Sequence, residues 1–246
     1  MKNDQKQTQV KPTAVGFDDF LEDLFGLNIR GLKTIWVSFY SPKKYYAAAH
    51  TSDWHGKYTP SFRLLFTLLA LVFLMQFFWG GANSPLIASY AQQMEAHSII
   101  LPDGLSYTQA SLTLASWYNG FIPPFTIAFY LMLGSVYSVW GRRMSFVERQ
   151  RYLFITMIPN MFITFFLFIV LAFVPAEKVL WGLWLFPTIA FLVSALTAFR
   201  GAFISMTVLA RLWRAMLLAF LIVGVGQLVS LAAQFSATEV IRMKYY

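Results

Sequence analysis

Residues 64–80 read LLFTLLALVFLMQFFWG, seventeen consecutive positions with no charge and a single amide, Gln76. Extended by Ser61, Phe62 and a snorkelling Arg63, the run supplies the roughly 20 residues a helix needs to cross hydrocarbon. Four further apolar stretches follow, at about 115–140, 152–174, 179–199 and 212–235. Pro123 and Pro124 interrupt the second stretch, Pro159 the third and Pro187 the fourth, while Gly224 and Gly226 fall in the last. The ten-residue apolar–polar alternation of a membrane barrel does not appear. The sequence therefore predicts an all-α, polytopic bundle of five transmembrane helices, the first at 62–80, within a transmembrane domain covering 61–246.

Composition supports the same class. Of 246 residues, 58% are hydrophobic and 12% charged, and the mean hydropathy is +0.57. An ordinary soluble domain carries about 25% charged residues, so this chain lacks the charge to cover a water-facing surface. A soluble enzyme, a disordered chain and a collagen-like chain are all excluded. The net charge of +8 lies around the apolar runs and reads as membrane topology, not nucleic-acid binding. The absence of cysteine excludes disulfides, Cys-ligated zinc, iron–sulfur clusters and thiol catalysis. The start, MKNDQKQTQVKPT, lacks the apolar core of a signal peptide and reads as a mobile cytoplasmic tail over 1–15.

Lysine and arginine give the orientation. The stretch before the first span holds nine of them and the 81–111 connection none. The 142–151 connection holds four, the turn near 175–178 one, the 200–214 connection three and the end two. Positive charge stays cytoplasmic, which predicts a bacterial inner-membrane protein with its N-terminus inside and, after five crossings, its C-terminus outside. In the long external connection, Pro85 and Pro102-Asp103-Gly104 are turn signals. A short helix over 86–97, with Ile87, Tyr90 and Met94 on one face, would cap the outer mouth.

Residues 16–60 read as amphipathic interfacial helices. Phe17, Phe20, Leu21, Leu24 and Phe25 share one helical face opposite Asp18, Asp19, Glu22 and Asp23. A second apolar stripe comprises Ile29, Leu32, Ile35, Trp36, Phe39 and Tyr40. Ser41-Pro42 looks like an N-cap and first helical position, opening a short helix with Lys43, Lys44, Tyr45 and Tyr46.

Reactive constellations are sparse. No Asp or Glu lies well inside a span, which argues against proton-coupled transport. His50, His55 and His97 all lie outside the spans, so none can ligate a haem at bilayer depth. His50, Asp53 and His55 form a loose cluster on an expected loop, short of a metal site, and as an acid/base set they define a third, enzymatic alternative. GxSxG, HExxH and P-loop patterns are absent. Two candidate sites remain. Arg142, Arg143, Arg149, Arg151, Arg200, Arg211 and Arg214 would form a cytoplasmic rim that binds lipid headgroups, with Trp140 and Trp213 at the same level. Asn119, Pro123, Pro124, Asn160 and Gln227 would line a cavity where proline-broken helices free backbone carbonyls. The small pairs Gly134/Ser138 and Gly226/Ser230 suit close helix packing within the bundle.

Leu32-Lys33-Thr34-Ile35-Trp36, Ser41-Pro42 and Lys57-Tyr58-Thr59-Pro60 with Phe62-Arg63, followed by Pro124-Phe125 and Val147-Glu148, resemble an uncharacterised family of bacterial multi-pass inner-membrane proteins. That family, a domain of unknown function, is itself similar to the Yip-type membrane proteins. The likeness covers most of 30–225. It implies a multi-pass bundle with a cytoplasmic interfacial prelude and brings no known activity. Where the family pattern has His after that Glu, this chain has Arg149.

The leading expectation is a non-catalytic accessory or scaffold subunit of a larger membrane assembly, with lipids and other membrane subunits as partners and no cofactor. The alternative is a channel or transporter for a small neutral or lipidic solute that uses the proline-kinked helices.

Overall fold

The computed structural model describes residues 29–79, 81, 84–101, 104–135 and 144–245. The tail over 1–15, the acidic helix expected at 17–25, Ser138, Trp140, Arg142 and Arg143 lie outside the described residues. Among the described residues every regular element is helical. In chain order these are α1 (Ile29–Tyr40), α2 (Pro42–Ala48), a 3-10 turn (Trp54–Gly56), α3 (Ser61–Trp79), α4 (Pro85–Ala96), α5 (Tyr107–Leu133), α6 (Phe146–Leu171), α7 (Ala176–Gly201) and α8 (Val208–Tyr245).

Four of them, α3, α6, α7 and α8, are long and apolar enough to cross a membrane, so the chain is a multi-pass membrane protein. The fifth expected span differs. Helix α5 has 27 residues, about 40 Å at 1.5 Å per residue, but begins well before residue 115. Thr108, Gln109, Ser111, Thr113, Ser116 and Asn119 keep its first half below the apolarity of the other four. Helices α6 and α8 also start earlier than their apolar runs, which takes Arg149, Arg151, Arg211 and Arg214 out of connections and into the first two turns. The cause at α6 is a capping box. The Ser145 hydroxyl accepts from Glu148 N–H at 3.2 Å, and the Glu148 carboxylate accepts from Ser145 N–H at 2.9 Å.

The prolines do not break the helices. Pro123-Pro124, Pro159 and Pro187 each lie within a continuous helix. Each removes one backbone donor, a loss that neighbouring turns and packed helices absorb in a bundle.

Helix α5 packs mainly on α8, α3 on α6, and α7 on both α6 and α8. Gly226 and Ser230 of α8 serve the α5 contact. A Cβ at Gly226 would stand 3.2 Å from the Tyr130 hydroxyl, and Ser230 Oγ lies 2.8 Å from Tyr118 Oη. The small pair is thus used inside the bundle.

The prelude joins the largest core cluster, through Ile35, Tyr45, Tyr46 and Trp54 with Leu64, Leu153, Ile158 and Leu218. Its apolar stripe is arranged inversely to the expectation for a water-soluble helix. Gly31, Thr34, Ile35 and Ser38 are the buried residues of α1, while Leu32, Trp36 and Tyr40 are exposed. In a chain surrounded by lipid, small and hydroxyl side chains permit close helix contact and bulky apolar ones can face outward. At the start of α2, Ser41 and Pro42 occupy the expected cap and first position, but the Ser41 hydroxyl makes no capping hydrogen bond.

Candidate functional site

The 81–111 connection folds as expected over its helical part. Ser84 caps α4 by accepting from Ile87 N–H at 3.2 Å, with Pro85 at the first position. Ile87 is completely buried, and α4 is held against α5 and α7. A cavity of about 380 Å³ lies beneath it. Gln76 of α3, Tyr90 and Gln93 of α4, His97 beyond it, Tyr118 and Asn119 of α5, and Ser230 and Gln234 of α8 supply its polar lining.

A second, more open cavity of about 220 Å³ adjoins it along the bundle. It shares Gln76, Tyr118, Phe168 and Ser230 with the first. Thr126, Tyr130, Asn160, Thr164 and Gln227 are its further polar lining residues, Gln227 exposed at its edge, and Pro187 belongs to its wall. Three of the five sequence candidates therefore meet along one path: Asn119 in the outer chamber, Asn160 and Gln227 in the inner one. Pro123 and Pro124 line neither chamber.

Among the described residues the two linings contain amides, hydroxyls, phenols and one imidazole, without Asp, Glu, Lys or Arg. Burial, with the neighbouring Tyr118 hydroxyl adding to it, pushes the Tyr90 phenol up to about 12, so it is a neutral hydrogen-bonding group near pH 7. The Tyr118–Ser230 hydrogen bond ties α5 to α8 where the chambers meet. Further in, Tyr130 Oη donates to the Ile222 carbonyl at 3.2 Å. Such a path offers donors and acceptors without a fixed charge. Its chemistry suits an uncharged, hydrogen-bonding guest, since an ion would enter without a counter-charge.

The opposite end carries the arginines, and most of those described are occupied within the protein. Arg151 donates to the carbonyls of Ala49 at 2.6 Å and Thr51 at 3.0 Å and lies 5.2 Å from the centre of the Trp54 ring. Arg200 donates to Phe39 O at 3.0 Å and Tyr40 O at 2.8 Å. Arg200 thus uses its fork on the last carbonyls of α1, groups that a helix leaves without intrahelical partners, while Arg151 holds the cap residue of α2 and the Thr51 carbonyl just beyond it through one nitrogen. Arg149 is 3% exposed, Arg211 stacks 4.1 Å from the Phe199 ring centre, and Arg214 is half-buried.

The expected His50–Asp53–His55 cluster is divided. Asp53 accepts from His55 N–H at 3.1 Å, and this backbone hydrogen bond holds its carboxyl below the usual range. His50 turns instead to α6. Its Nδ1 is 3.5 Å from Glu148 Oε1 and its Nε2 is 2.6 Å from Tyr152 Oη. Nearby, Tyr46 Oη meets Thr156 Oγ1 at 2.6 Å. Sequence reading missed this carboxylate–imidazole–phenol chain because its members lie about a hundred positions apart. The Ser145-x-x-Glu148 capping signature was the one local signal that the helix reaches back to Glu148. Among the described residues no group of three or more His, Asp or Glu could hold a metal ion. Compared with family models, curated proteins and solved structures, the chain finds no match.

Proposed function

We propose that this protein is a non-catalytic channel or transporter component that takes a small, neutral, hydrogen-bonding solute into the vestibule between α3, α4, α5 and α8. The observation carrying this reading is the pair of adjoining chambers, whose uncharged polar lining runs from His97 and Gln93 to Asn160 and Gln227. A membrane bundle without such a task has little reason to keep amides among apolar walls.

On this reading α5 is a fifth crossing, in the bacterial inner membrane. At 27 residues α5 has the length, and its less apolar half is where Tyr118 and Asn119 line the outer chamber. Five crossings put the basic prelude in the cytoplasm, the uncharged mouth outside, and the far end of α8 outside. The 38 residues of α8 amount to about 57 Å, well beyond a hydrocarbon core of about 30 Å. Its last turns, with the Glu239–Arg242 pair at 3.3 Å, then stand in water.

Reconstituted proteoliposomes subjected to osmotic gradients of glycerol, urea and similar neutral solutes test the proposal by stopped-flow light scattering. The protein should raise permeability to at least one solute. Asn160→Leu and Gln227→Leu should return it to that of empty liposomes at equal incorporation. Equal flux in wild type and both variants would remove the reading.

Helix α7 favours a second role as an accessory subunit. Trp184, Leu192 and Leu196 are 75%, 60% and 56% exposed along it, leaving a face wide enough for a partner helix. Gentle extraction should then recover a second membrane chain in fixed ratio, lost with Leu192→Lys.

A further inference from the structure

A third cavity lies away from the vestibule and shares no lining residue with it. It is a groove of about 460 Å³ between α1 and α6. Leu32, Trp36 and Phe39 form one wall and Phe162, Phe166 and Val170 the other, and every residue lining it is apolar. The Phe39 and Phe162 rings meet edge to face at 6.0 Å, which fixes one end. Trp36, Phe166 and Val170 are 69%, 49% and 59% exposed, so the groove opens on the outside of the bundle.

Among the described residues, the two prelude helices beside it carry charge of one sign. Helices α1 and α2 carry Arg30, Lys33, Lys43 and Lys44 and no acidic residue. Arg30 is committed to the Tyr58 carbonyl at 2.8 Å. Lys33 is exposed and follows Leu32 directly. It precedes Trp36 by three positions, a spacing that makes helical residues neighbours, so its ammonium belongs to the rim of the groove. An apolar cleft beside a basic helix matches the chemistry of an anionic lipid, an apolar chain under a negative headgroup.

We propose that this groove binds one acyl chain of an anionic phospholipid, with the lipid phosphate held by Lys33. The bound chain fills the space between α1 and the lipid-facing side of α6, and the negative headgroup neutralises the basic prelude. The site thus belongs to the acid-free α1–α2 surface and not to Arg151, Arg200 and Arg211, which already hold carbonyls or rings.

The full-length protein in nanodiscs tests this with phospholipids carrying a photoreactive group in the acyl chain, compared between phosphatidylglycerol and phosphatidylcholine. Irradiation followed by peptide mass spectrometry should label the peptides holding Trp36 and Phe162–Val170. Labelling should be several-fold stronger with the anionic lipid. Lys33→Gln, an exposed change that leaves the core intact, should reduce that preference about fivefold, the worth of one basic residue at an anionic surface. Ile163→Trp, which fills the groove, should reduce labelling with both lipids. Equal labelling by the two lipids in the wild type would overturn the proposal, as would an undiminished preference in Lys33→Gln. A cross-link from residues 17–25 to the groove would overturn it too, since a segment of this chain would then be the occupant.

Discussion

Adding one methyl group at Gly201 tests how the prelude is held. Gly201 closes α7, and a Cβ built there runs into the Tyr46 ring and reaches 3.0 Å from Pro42 Cβ. Tyr46 has little room to yield. It is 1% exposed, its hydroxyl is 2.6 Å from Thr156 Oγ1, and its ring meets Tyr152 edge to face at 4.8 Å. Overpacking of this kind costs about 1–3 kcal/mol. Displacing Tyr46 also forfeits a buried hydrogen bond, about 1 kcal/mol. Gly→Ala within a helix returns at most about 1 kcal/mol. The net expectation for Gly201→Ala is about 2 kcal/mol against docking, or roughly a 30-fold rise in the undocked population. Hydrogen exchange by mass spectrometry in nanodiscs reads this directly, because the amides of 43–49, within the 42–49 segment that opens with Pro42, exchange through local opening. They should accelerate by about that factor while amides of 153–158 do not. Gly224→Ala is the control, since nothing lies within 4 Å of its would-be Cβ, and it should leave the prelude unchanged. If 42–49 exchange at the wild-type rate in Gly201→Ala, α2 does not rest on the α7 backbone and the account of the prelude fails.

Two further outcomes follow from the same contacts. Arg200→Gln removes both hydrogen bonds to the end of α1, so limited proteolysis should open a site near 40–41 that the wild type protects; Arg200→Lys should protect only partly, because a single ammonium lacks the planar fork. The phenols of Tyr45 and Tyr46 are raised above their usual value by burial, so docking keeps them protonated. Their contribution is complete below about pH 10, the value of a free tyrosine, and is lost as pH rises beyond it. Tyrosinate absorbance followed with Trp fluorescence should show undocking as a cooperative alkaline step, and a smooth titration of independent phenols would contradict the burial.

The long spans were legible because an uncharged apolar run of about 20 residues finds too little protein to bury it in a chain this small and must meet lipid. Asn119, Asn160 and Gln227 were legible as well, since an amide inside an apolar helix stands out against its neighbours. Residues that read ambiguously fared differently. Trp36 and Leu32 stood out as an apolar stripe, but the packed contact runs through Gly31, Thr34, Ile35 and Ser38, three of which hydropathy ranks low. Pro123 and Pro124 looked like a break, yet neighbouring turns carry the helix through them. Arg151 and Arg200 have the right chemistry for a phosphate, and the same five-donor fork fits the free carbonyls of a short uncapped helix. Only a fold that brings Arg200 to Phe39, 161 positions away, decides between those uses.

Helix α6 joins the two ends of the molecule. Tyr152, Thr156, Asn160, Thr164 and Phe168 recur at four-residue steps along it, tracing a stripe that winds slowly around the helix because four residues slightly exceed one turn. The first two face the prelude, through His50 and Tyr46, and the last three line the inner chamber. The middle of α6, from Tyr152 to Asn160, is buried almost without interruption, so it transmits displacement as a packed body and not as a loose segment. The turn that seats Tyr46 and the turn that carries Asn160 are thus neighbours in one buried segment. The hydroxyl and imidazole contacts at one end and the amide-lined cavity at the other are two surfaces of one helix, and α6 links the prelude to that cavity, whose lining holds no prelude residue.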